Sequence, residues 1–267
     1  MSAFVTAVAL SISVFAAAAT RSPWRQIAPG VENATVADLG GEANWAAKVV
    51  LVDPQLVQFA IRFDPARPTL KEWRARYPSA IAIINGSFYS SDSAEIRPTC
   101  ELVQEGKRVK GAGCLRQDAL YFGARPKNAP PVVASIAPTR PAASPSSPRF
   151  LAPSAFRADD WVEALKSFPA LVHEGTPACN GPHYCAESSR TAALGQLRDG
   201  RILLFASQWP AVRREVGRWL SDALGATEVL NLDGGPEATL ALHGEPLEDT
   251  IGTNGRGLPL VVVVLPP

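Results

Sequence analysis

Short apolar runs separated by Gly, Pro and Asn dominate the chain, and most are too short to be helices. Residues 47–52, 57–63, 80–84 and 119–122, rich in Val, Ile, Leu and Phe, read as strands. Between 63 and 80, Thr69 is placed as the N-cap of a helix carrying Leu70, Trp73 and Tyr77, and Pro78 ends it. Further along, Asp159 or Asp160 can cap a helix through Trp161, Val162 and Leu165, followed by a short strand at Leu171-Val172. Residues 191–197 and 201–206, joined by Arg198-Asp199-Gly200, have the form of a hairpin. Pro210 then opens a helix with Val212, Val216, Trp219, Leu220 and Ala223 at helical spacing, and Gly225 closes it. Strands are expected again at 228–232, 238–242 and 260–265, the last so rich in Val that both its faces should be buried. Strands outnumber helices and hairpins are present, which disfavours a doubly wound sheet. The expected class is α+β, a mixed β-sheet core with a few packing helices.

Two segments stand outside this pattern. From 125 to 149 the chain carries seven prolines among many Ala and Ser, a composition that builds no core and reads as an extended insertion. Residues 1–19 are apolar, uncharged and end in an Ala run before Thr20 and Arg21, which suits a cleaved secretory signal. The n-region lacks Lys and Arg, and the segment would tie the protein to a membrane only if it stayed uncleaved. The expected organisation is therefore a signal over 1–19 and one domain over 20–267 bearing the insertion, in a secreted or periplasmic protein.

Composition narrows the function. The 267 residues are 46% hydrophobic and 19% charged, and 26 Lys and Arg against 25 Asp and Glu leave a net charge of +1. That excludes a disordered chain and offers no field for nucleic acid. Export makes the four cysteines candidates for disulfides; of three connectivities the simplest is two local bridges, Cys100–Cys114 and Cys179–Cys185. A zinc site of Cys179, His183 and Cys185 competes, but its spacing lacks a paired Cys-x-x-Cys. No metal or cofactor is expected.

Three places set polar groups directly against apolar strands. Ile83-Ile84-Asn85-Gly86-Ser87-Phe88-Tyr89 delivers an amide to a turn; Ser188-Ser189-Arg190-Thr191 puts a guanidinium at the mouth of a strand, where it can fork a phosphate; and Val229-Leu230-Asn231-Leu232-Asp233-Gly234-Gly235 ends a strand in a carboxylate and two glycines whose amides a ligand can approach. Alone, the first reads as a turn and the second as a surface Arg, while the third reads equally as a turn with an Asx cap. Their order, together with Pro169-Ala170-Leu171-Val172, Gly175, Gly225-Ala226 and a late Arg256 before the final strand, resembles the phosphodiester glycosidase family. The likeness runs from about residue 47 to the end, omitting the insertion.

The resemblance implies hydrolysis of a sugar-1-phosphate diester to free sugar and a phosphomonoester. It puts Asn85, Arg190 and Asp233 at the family's polar signature positions, with Gly86, Gly234 and Gly235 shaping the loops. Where the family continues after the paired glycines with Gly and Ser, this chain has Pro236 and Glu237. In that scheme Arg190 holds the phosphate, Asp233 serves the anomeric centre, Asn85 orients a sugar hydroxyl or the phosphate, and Glu237 or Glu174 is a second carboxylate. A non-catalytic envelope glycan-binding domain and a metal-dependent phosphoesterase using Asp233, Asn85 and Glu237 are the alternatives.

Overall fold

The computed structural model describes residues 20–37, 46–90, 95–114, 116–128, 147–252 and 255–267. The expected signal segment and the middle of the Pro-rich insertion lie outside the described residues. In chain order the principal elements are β1 (Val31–Ala37), β2 (Ala47–Val52), β3 (Gln58–Phe63), α1 (Leu70–Arg76), β4 (Ala82–Asn85), β5 (Leu102–Gln104), β6 (Leu120–Pro126), β7 (Trp161–Ser167), β8 (Ala170–His173), β9 (Ala192–Leu197), β10 (Ile202–Ser207), α2 (Arg213–Leu224), β11 (Ala226–Asn231), β12 (Leu240–Leu242) and β13 (Leu260–Leu265). Shorter strands extend the sheet edges. This is the mixed α+β class, with mostly sheet and two α-helices among the described residues.

Three antiparallel sheets carry the core. The largest runs β1-β2-β10-β9-β11-β8, the second β12-β4-β13-β3, and the third includes β5-β7-β6. Strands from both sides of the Pro-rich segment pair directly, β2 with β10 and β6 with β7. Alternation along each strand feeds different layers. In β13, Val262 and Val264 join the central core between the sheets, while Val261 and Val263 pack under α1 with Leu70 and Trp73. In β10, Ile202, Leu204 and Ala206 face that central core and Leu203 and Phe205 face α2 through Val216 and Leu220. The large sheet and the four-stranded sheet therefore stack on one shared core, each with a helix on its outer face.

Three expectations need correction. The segment after Asp160 is strand β7, preceded by a single turn at Ala158–Asp160. Its Glu, Ala, Leu and Lys favour helix locally, but pairing with β5 and β6 on either side overrides that preference. Helix α2 starts at Arg213, three residues beyond Pro210, because Ala211-Val212 pairs with Ser188-Ser189. Gly225 closes it as expected, in the left-handed conformation at φ 70°. Finally, the first residues of the insertion belong to the fold: β6 runs through Arg125 to Pro126, and Arg149 begins a strand that pairs with it.

Candidate active site

Strands β4 and β11 lie in the two stacked sheets, and their C-terminal ends meet. Asp233 follows β11 by two residues and its N–H donates to the Gly86 carbonyl at 2.9 Å. Asn85, the last residue of β4, locks the junction. Its Nδ2 donates to the carbonyls of Asp233 (2.7 Å) and Gly86 (3.2 Å), and its Oδ1 accepts the Thr239 N–H (2.9 Å). Both donors and one acceptor position are spent on backbone, and the residue is 2% exposed. Asn85 thus spends both its donors on shaping the site.

Arg190 and the glycine pair are equally interlocked. The Arg190 carbonyl accepts the Gly235 N–H at 2.8 Å, and its Nη2 donates to the Ala238 carbonyl at 2.5 Å. Gly234 has to be glycine, since a Cβ there would stand 2.7 Å from the Arg190 carbonyl oxygen; Gly235 takes φ 61°, where a side chain is strained. The Gly234 N–H donates to the Asp233 side chain (2.9 Å). Both glycine amides are therefore occupied within the chain, and neither is the open ligand donor expected of it.

Two carboxylates occupy this turn. Burial and the neighbouring Glu237 push the Asp233 carboxyl up to about 7, against the opposing pull of the Gly234 N–H, Arg213 and Arg67. Glu237 sits in the turn Gly235–Glu237, 3.6 Å from the Arg256 guanidinium, and accepts the Tyr89 hydroxyl at 3.4 Å. Tyr89 in turn accepts from Arg67 Nη2 at 2.9 Å, with that guanidinium 5.1 Å from its ring. Burial lowers the Arg190 pKa, and the negative charge of Glu237 opposes that shift. Two carboxylates thus lie among Arg67, Arg190, Arg213 and Arg256, an excess of positive charge in a nearly neutral chain.

Glu174 is elsewhere. It sits in the turn after β8, where its N–H donates to Glu228 at 3.0 Å, near the start of β11. From Glu228 to Asp233 is about 16 Å of extended chain, so Glu174 stands apart from the turn that Asp233 and Glu237 share. Cys100–Cys114 and Cys179–Cys185 are both disulfides. The latter joins the two thiols of the suggested zinc site to each other, and among the described residues no three His, Cys, Asp or Glu side chains group as metal ligands.

Sequence reasoning missed Arg67, Tyr184 and Arg213. Tyr184, inside the Cys179–Cys185 loop, has its ring 4.0 Å from the Arg213 guanidinium and its hydroxyl 3.4 Å from Asn231 Nδ2. Burial pushes its phenol up to about 12. Arg213 opens α2 directly after Ala211-Val212, which pairs with Ser188-Ser189 beside Arg190. Eight buried side-chain polar atoms among the described residues lack a hydrogen-bond partner, and five belong to Ser87, Arg190, Arg213, Asn231 and Thr239 around this turn. Such atoms are rare in finished cores, where buried polar groups meet a protein partner or ordered water.

Solved structures share this fold. The zebrafish N-acetylglucosamine-1-phosphodiester alpha-N-acetylglucosaminidase catalytic domain, solved auto-inhibited by its pro-peptide, has the same fold: TM-score 0.64 at 16% identity, covering 93% of this chain and 88% of that one. A hypothetical protein from Synechocystis (TM-score 0.59, 13% identity, 92% of this chain and 64% of that one) is also similar. So is a Burkholderia pseudomallei K96243 protein described as exported (TM-score 0.55, 14% identity, 84% and 74%). No curated protein matches the chain significantly. The family model for phosphodiester glycosidases matches residues 78–265, which hold Asn85, Arg190, Asp233 and Glu237. The chain belongs to the phosphodiester glycosidase family.

Proposed function

We propose that this protein is an exported hydrolase that cleaves a sugar-1-phosphate diester, of the N-acetylglucosaminyl type, into free sugar and a phosphomonoester. The observation that carries the reading is the pair of contrasting carboxylates among four guanidinium groups. Phosphate is a good leaving group, so the C1–O bond breaks without a strong general acid, provided that positive charge holds the departing anion. The sugar ring then develops oxocarbenium character. Glu237, paired with Arg256, supplies the negative charge that stabilises it. Asp233, poised near neutrality, takes the proton from the water that adds at C1. Asn85 and Arg190 hold the two turns together around these groups. The apolar N-terminal segment and the two disulfides support action outside the reducing cytosol, in the periplasm or the medium.

The test is direct. A synthetic α-N-acetylglucosaminyl phosphodiester is incubated with the protein, and free sugar and phosphomonoester are quantified. Stoichiometric release of both is expected. Affinity for the glycan portion without any turnover would instead identify a carbohydrate-binding member of the family, and turnover abolished by chelator would identify a metal-dependent one.

A further inference from the structure

Arg213 is 6% exposed, yet its bonding is incomplete. Nη1 donates to the Tyr184 carbonyl at 2.8 Å, and the nearest carboxylate, Glu187 at 3.7 Å, is itself 64% exposed. The buried Nε has no partner among the described residues. Nη2 lies 3.7 Å from the point a Gly234 side chain would occupy, which sets that edge of the guanidinium beside the Asp233 turn. We propose that Arg213 is the guanidinium that binds the substrate's phosphate, and that the Cys179–Cys185 loop aims it through Tyr184. This rests on the reading of the Asp233 turn as a phosphodiester site.

The other arginines each have a partner at the site: Arg190 spends Nη2 on the Ala238 carbonyl, though its Nε too lacks a partner among the described residues; Arg67 spends Nη2 on the Tyr89 hydroxyl and the Gly257 carbonyl; and Arg256 faces Glu237 at 3.6 Å. A nearly buried cation without a hydrogen-bonded counter-anion is costly, and a bound phosphate supplies that anion with oxygens that match the fork. The fork also needs a fixed plane. Tyr184 provides it by lying 4.0 Å beneath the guanidinium, with Phe88 edge-on to its ring at 6.2 Å. The disulfide closes the short loop that carries Tyr184, and the Arg214 N–H donates to the Cys185 carbonyl at 3.0 Å. Bridge, ring and guanidinium form one unit; Tyr184 and the bridge are positioning elements, and Arg213 touches the ligand.

The experiment measures the Kd of inorganic phosphate by calorimetry on the oxidised protein, alongside KM and kcat for the sugar phosphodiester. Arg213→Lys should raise the phosphate Kd about tenfold or more, because an ammonium keeps the charge and loses the fork. Tyr184→Leu should raise Kd and KM while Tyr184→Phe, which keeps the ring, leaves both near wild type. A folded Arg213→Lys protein binding phosphate as wild type does would overturn the proposal; if that variant does not fold, equal phosphate affinity of Tyr184→Leu and Tyr184→Phe would do so. Wild-type protein that releases no sugar but binds phosphate in an Arg213-dependent way would remove the glycosidase reading and leave this inference standing. Sugar release with phosphate affinity indifferent to both residues would do the reverse.

Discussion

Glu163 and Asp233 are both carboxylates that burial pushes upward in pKa, yet the molecule treats them in opposite ways. Glu163, fully buried in β7, has each oxygen engaged. One meets Arg62 Nη1 at 2.9 Å and Arg125 at 3.5 Å; the other accepts the Ile61 N–H at 3.0 Å. Arg62 is engaged as well, donating to the Tyr77 hydroxyl and its own strand's Ile61 carbonyl. This network ties β3 of the four-stranded sheet to β7 and β6 and engages both oxygens of the carboxylate. Asp233 has one short-range donor, its neighbour's Gly234 N–H, and no ion pair among the described residues. Its closest cations, Arg213 and Arg67, act on it through space. A buried carboxylate with both oxygens engaged staples sheets; one with a single short-range donor keeps its charge ready for something that arrives.

The sharpest way to break this contrast is to neutralise each carboxylate. Asp233→Asn should lower turnover of the sugar phosphodiester by about 10²- to 10⁴-fold, the usual worth of a positioned general base, while the urea unfolding midpoint stays the same or rises. Glu163→Ala should do the opposite. Stranding Arg62 in the core should cost about 3–5 kcal/mol of stability, read from the same unfolding curves, with specific activity of the folded fraction unchanged. A Glu163 variant that unfolds normally and loses activity would show that the two networks had been assigned the wrong way round.

Proton linkage sharpens the contrast further. Asp233 has an ordinary value of 3.8 and is raised to about 7 in the fold. Its stabilising contribution is full below about pH 4 and is lost as pH rises through 7, because the folded state holds a proton that the unfolded chain has released. Wild type should therefore lose stability relative to Asp233→Asn between pH 4 and 8, by roughly 4 kcal/mol at most. Over the upper part of that range kcat/KM should rise, since the base must be ionised to accept the water's proton. Stability and activity moving in opposite directions through pH 7, both owing to one residue, is the expected signature. Parallel curves for wild type and Asp233→Asn would place the titration elsewhere.

What could be read from the chain depended on how local the cause was. The hairpin of β9 and β10 and the doubly buried β13 were legible because apolar runs and turn residues are contiguous in sequence. Strand β7 was not, because Trp-Val-Glu-Ala-Leu-Lys favours helix until β5 and β6 flank it. At the site, Asn85, Arg190, Asp233, Glu237 and Arg256 do come together, while Glu174 stands at the far end of β11. Motif order could place them but could not divide labour among them. That Asn85 spends its amide on backbone, or that Arg213 rests on Tyr184 beside Gly234, depends on contacts between segments 148 and 29 residues apart.

The smallest effect comes from a polar network completed within one turn of chain. At the start of α1, Thr69 accepts the Glu72 N–H at 3.3 Å while the Glu72 carboxylate accepts the Thr69 N–H at 2.6 Å, a reciprocal capping box. Like the Glu163 carboxylate it has its partners within the fold, but it lies on the surface, where water can replace what is removed. Thr69→Ala should therefore cost only about 1 kcal/mol, against the larger loss at Glu163, and should leave phosphodiester turnover untouched because α1 covers the outer face of the four-stranded sheet. A calorimetric melt compared with wild type checks it. If the loss matched that of Glu163→Ala, completeness of bonding rather than burial would set the strength of a polar network in this fold.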